Sequence, residues 1–136
     1  MTKTQFCNNS FSHAALASAV IRQCGGWDSF KEMASDVANH GADSGFSGFT
    51  YYTETVKFAK AHKADILDYA RQMADEFGES LYGMIGGFNC IKISEGEAAE
   101  AIHNPRSGDH TTVMNALAWF ALEEVARRYV DECEMA

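Results

Sequence analysis

The chain has 136 residues, 46% of them hydrophobic and 22% charged, with a formal net charge of −8. That length fits one domain, and the apolar fraction excludes wholesale disorder. The single proline, Pro105, excludes proline-rich linkers, and 11 Lys+Arg against 19 Asp+Glu exclude a molecule that is a basic nucleic-acid clamp as a whole.

The N-terminal residues lead into no long apolar run, so no secretory signal is expected. No stretch approaches the roughly 20 apolar residues of a membrane span, and the expected location is the cytoplasm. The cysteines, Cys7, Cys24, Cys90 and Cys133, contain no Cys-x-x-Cys pair. Reduced, mostly buried thiols are expected.

The pattern is helical nearly throughout. Ser10 or Ser12 can cap a first helix that ends near Cys24, where Gly25-Gly26 suits a left-handed C-cap. Ser29-x-x-Glu32 reads as a capping box opening a second helix to about Asn39. A glycine- and aromatic-rich connection follows, from Gly41 to Tyr52. The spacing then predicts helices over about 53–61 and 64–77, with Ile66, Ala70, Met73 and Phe77 on one stripe and Gly78 as C-cap. A weak helix over 79–85 ends at Gly86-Gly87, and 88–93 is the one candidate for a short extended segment. Ser94-x-x-Glu97 is a second capping box, starting a helix to about His103. Asn104 to Gly108 is a loop, and Asp109 can cap the longest helix, about 110–134. Its Val113, Met114, Leu117, Phe120, Ala121 and Val125 form a broad apolar arc. Glu124 and Arg128, and Glu123 and Arg127, are four apart in the favourable order, and both pairs are expected to be solvated. The fold class is therefore mainly α, one multi-helix bundle across 1–136 with cores near 16–21, 66–77 and 113–125.

Charge is unevenly placed. Residues 1–63 carry six Lys+Arg and five acids, a net of +1; residues 64–136 carry five bases and 14 acids, a net of −9. Asp68, Asp75, Glu76 and Glu79 lie along the edge of one helix and can imitate a phosphate track to a basic partner. Ordinary solubility also explains such acidity. Phe46, Phe49, Tyr51 and Tyr52 are loop candidates for the same partner surface, although the phenylalanines also suit core plugs. Lys57, Lys60 and Lys63 beside Tyr51 and Tyr52 offer a second reading, phosphate contact and base stacking by a nucleic-acid-binding regulator. Glu100, His103 and His110 offer a third, a metal-dependent hydrolase. One Glu-x-x-His pair falls short of the three or four converging ligands zinc needs. No motif calls for a cofactor, and the oligomeric state is open.

Two segments, Ile21–Phe30 and Gly45-Phe-Ser-Gly-Phe-Thr-Tyr-Tyr-Thr-Glu-Thr-Val-Lys-Phe58, resemble small proteins encoded by bacteriophages and conjugative plasmids. The likeness extends to Ile66, Gly78, Phe88 and Asn115–Ala121. It implies a mobile-element accessory protein in the bacterial cytoplasm, of a kind that includes anti-CRISPR and antirestriction inhibitors. It carries over no catalytic residues. Together these readings favour a non-enzymatic protein that binds a host protein with a basic, nucleic-acid-binding surface.

Overall fold

The computed structural model describes residues 1–9, 13–41, 49, 52–87 and 91–134. Glycine punctuation sets several of the helix boundaries. Helices α1 (Lys3–Asn9), α2 (Ala14–Gln23) and α3 (Trp27–His40) come first. At the end of α2, Gly26 N–H donates to the Ile21 carbonyl and Gly25 N–H to the Arg22 carbonyl, at 3.0 and 3.1 Å. This paired pattern closes a helix when the next residue is left-handed, and Gly25 has φ +99°. Ser10 and Ser12 lie outside the described residues; the N-cap of α2 is His13, which makes no side-chain capping bond. The Ser29 capping box is corrected as well. Gly26, at φ +113°, is the N-cap of α3, so the helix begins two residues before Ser29.

Helix α4 runs from Tyr52 to Glu76 and is broken at His62, whose φ −119° and ψ 19° are not helical. Its halves correspond to the two helices expected over 53–61 and 64–77. Gly78, at φ +70°, ends it with the same paired pattern, Glu79 N–H to Ala74 and Gly78 N–H to Asp75. Helices α5 (Leu81–Gly87), α6 (Glu95–His103) and α7 (His110–Tyr129) complete the bundle, and α7 runs on into a π-helical turn, Val130–Glu134. No strand occurs among the described residues. Phe88 to Cys90 lie outside them, and 91–94 has no regular structure.

α7 is the central helix, packed chiefly on α4 and α3 and also on α6, α2 and α5. It is covered on nearly every face from His110 to Ala126, the pattern of a helix in the middle of a bundle. Asp109 occupies its N-cap position but its side chain makes no capping bond. Thr55 and Asn115 join α4 to α7 by a buried hydrogen bond between their side chains. The same core extends to where α1 meets α3. There Phe6 is fully buried against Trp27, Phe30 and Tyr129, with ring centroids 5.7, 6.1 and 5.8 Å away. Trp27 stacks on Phe30 at 5.9 Å, and Trp119 donates from Nε1 to the Phe49 carbonyl at 3.2 Å. Both tryptophans are thus held within the bundle. Cys7 and Cys24 are free, buried thiols; burial pushes Cys24 up to about 12, so it stays protonated and unreactive near neutral pH.

The capping box at Ser94 forms as the spacing predicts. Glu97 N–H donates to Ser94 Oγ, and Ser94 N–H donates to Glu97 Oε1, both at 3.1 Å. Those bonds to Ser94, its backbone N–H first, hold the Glu97 carboxyl below its ordinary value. A carboxyl depressed by folding stabilises above its unfolded pKa and loses that contribution as pH falls through its folded pKa. The Glu97→Gln variant keeps an acceptor but cannot titrate. Its thermal midpoint is expected to fall less steeply on acidification below about pH 5 than that of the parent. Parallel slopes in the two proteins would show that the box carries no pH dependence.

Candidate functional site

The acidic candidates occupy the outer side of the second half of α4 and the residues just beyond it. Asp68, Asp75, Glu76 and Glu79 are all exposed. Asp68 also meets His13, its Oδ2 lying 3.2 Å from Nε2. Phe77 stands among the other three with 67% of its surface exposed. This corrects the stripe read from sequence. The helix ends at Glu76 and Gly78 turns the chain away, so Phe77 misses the core while Ile66, Tyr69, Ala70 and Ala74 fill it. Beside Phe77 is a groove of about 180 Å³, bordered by Met73, Glu76, Arg127, Arg128 and Asp131.

The charges on α7 also differ from their expected pairing. Glu124 is buried and pairs with Arg127, three residues on, rather than with Arg128. It packs near the end of α3, where Val37, Ala38 and Gly41 border the same hollow, so this part of α7 has not left the core. Arg128 turns to α4 and donates from Nε to the Tyr69 hydroxyl at 3.3 Å, a contact that raises its pKa further.

Of the aromatic candidates, Phe46 and Tyr51 lie outside the described residues, and Tyr52 opens α4 with its side chain outside the described part. Phe49 is removed from the partner-binding set. Its ring is fully buried and meets Phe58 edge-on at 5.2 Å, so it plugs the core and has no face to offer a partner.

The lysines are brought together with the start of α7. A groove of about 450 Å³ is bordered by Thr53, Val56, Lys57, Lys60 and Thr111. A second cleft, of about 230 Å³, shares Lys60 and adds Lys63, His103, Pro105 and His110. Lys57, Lys60 and Lys63 enter no ion pair among the described residues. Nothing in the sequence couples Lys60 to His110; only the packing of α7 on α4 does.

Glu100, His103 and His110 do not converge as a metal site. Glu100 accepts from the Asn104 amide at 2.7 Å. His103 Nε2 shares a 2.9 Å hydrogen bond with the Tyr82 hydroxyl. His110 Nδ1 bonds the Ala101 carbonyl at 2.6 Å. Among the described residues no three His, Cys, Asp or Glu side chains are placed to hold a metal ion. No helix there is long and apolar enough to cross a membrane.

The architecture is that of a single helical bundle whose kinked α4 carries lysines on its first half and carboxylates on its second. Residues 13–135 match the family described as a domain of unknown function, DUF7222, and the chain belongs to that family. No curated protein and no solved structure matches it.

Proposed function

We propose that the protein works by binding a protein partner with a basic surface, through the acidic end of α4 centred on Phe77. The observation that carries this reading is the exposed Phe77 ring, flanked in the chain by the exposed Asp75, Glu76 and Glu79. A large aromatic anchor ringed by charge is the usual make-up of a binding hot spot, the ring supplying contact area and the rim supplying selectivity. Acidic rims also speed encounter with a basic surface and favour it over others. The likeness of residues 21–30 and 45–58 to mobile-element accessory proteins makes a host nucleic-acid-handling defence complex the partner class to test first. In that setting the carboxylates would occupy the place of nucleic-acid phosphates and block it.

Affinity capture from host lysate tests the reading, paired with assays of CRISPR interference and restriction in cells. The expected result is recovery of a nucleic-acid-binding protein and loss of one of those activities. The variant carrying Asp68→Asn, Asp75→Asn, Glu76→Gln and Glu79→Gln should bind at least about tenfold more weakly, with a shallower salt dependence. No such partner and unimpaired defence would contradict it.

A further inference from the structure

We propose that the cleft between the first half of α4 and the start of α7 binds a phosphate monoester of a small molecule, held by Lys60, Lys63 and the buried imidazole of His110. His110 is only 6% exposed. Its Nδ1 lies 2.6 Å from the Ala101 carbonyl, so Nδ1 carries a proton and donates it. The opposite ring nitrogen, Nε2, is buried and has no hydrogen-bond partner among the described residues. A polar atom left in that state costs free energy, and in native proteins such groups are satisfied by a water, an ion or a ligand. The ring borders a cleft of about 230 Å³ that also holds Lys60, Lys63 and His103. Since a water occupies roughly 30 Å³, the space accepts a phosphate group.

The charges select the ligand. Two ammonium groups without ion-pair partners among the described residues border the cleft. The N-terminus of the 20-residue α7 adds its positive end, and the Asp109 side chain makes no capping bond to it. A divalent cation is disfavoured by that set. A phosphate monoester satisfies both demands. Its second proton dissociates near pH 6, so unlike a diester it retains an ionisable P–OH that can hydrogen-bond Nε2 while its other oxygens face the lysines. The adjoining groove shares Lys60 and is bordered by Thr53, Val56 and Thr111; it offers room for the organic part of the ligand. A nucleic-acid strand is a poorer fit. Its diesters hold no proton to give, and a chain of net charge −8 with three clustered lysines has little track for a polyanion.

Nitrogen-15 NMR of the histidine rings tests this in the full chain. Inorganic phosphate, adenosine monophosphate and a short single-stranded oligonucleotide are titrated separately. The expected result is a saturable shift of His110 Nε2 with phosphate and with the monophosphate. In the Lys60→Ala/Lys63→Ala variant the same shift should need at least tenfold more ligand. These lysines are not buried, so the variant keeps its fold, and its own spectrum verifies that. An unmoved His110 signal would mean that the cleft holds water only, and one that moves equally in the variant would mean that Lys60 and Lys63 do not hold the ligand. Tighter binding of the oligonucleotide than of both small probes would reassign it as a nucleic-acid face. Any of these three results overturns the proposal.

Discussion

Replacing Phe6 with Ala should destabilise the protein by about 3–5 kcal/mol, the usual cost of deleting a buried phenylalanine ring. α1 has seven residues, too few to be helical without tertiary support. Phe6 and its neighbour Cys7 are its buried residues, and Phe6 meets three other rings. Losing that ring removes both the core volume and the anchor of α1. Trp27, uncovered by the loss of the ring, should then show red-shifted fluorescence, and the thermal midpoint should drop by roughly 10–15 °C. A loss under about 1 kcal/mol with unchanged Trp27 emission would show that α1 does not dock as described. The family match begins at residue 13, so this experiment also decides how far the first twelve residues serve the core.

Gly86 supplies the second large effect. A Cβ placed there would lie 2.5 Å from the Ile93 carbonyl oxygen, a backbone atom that cannot rotate aside. Ile93 N–H in turn donates to the Gly86 carbonyl at 3.1 Å, tying α5 to the approach to α6. Gly86→Ala should therefore cost about 2–3 kcal/mol, near the upper range for overpacking. Its neighbour is the control. A Cβ at Gly87 meets nothing within 4 Å among the described residues, so Gly87→Ala should change stability by less than about 0.5 kcal/mol. Chemical denaturation of the two variants reads the difference; equal effects would mean that the contact with Ile93 does not form.

Local signals were legible in the sequence and tertiary ones were not. Gly25-Gly26 and Gly78 mark helix ends because a left-handed residue is a local requirement. The Ser94–Glu97 box is local for the same reason, and the break near residue 62 separates two stretches of apolar periodicity. The start of α3 departs from the local signal because Ser29-x-x-Glu32 satisfies the capping pattern while Gly26 fixes the N-cap three residues earlier. α1 leaves no signal because Phe6 and Cys7 are too few to make a period. Burial of Glu124 depends on α3 lying against α7, and exposure of Phe77 depends on where the bundle stops. Neither follows from spacing along one helix. The candidate sites divide likewise. The acidic residues of α4 were legible as an outward edge, whereas the meeting of Lys60 with His110 requires the packed fold.

The most direct test of the acidic-end reading is site-specific photocrosslinking. A photoreactive phenylalanine analogue at position 77, where the ring is already exposed, is compared with one at the exposed position 112 on the start of α7. In host cells the expected result is a discrete crosslink from position 77 to a nucleic-acid-handling protein, lost when Asp75, Glu76 and Glu79 are neutralised. Position 112 should give no such product. A position-77 probe that captures nothing specific, or that captures the same proteins as position 112, would contradict the claim that this end of the bundle is the binding surface.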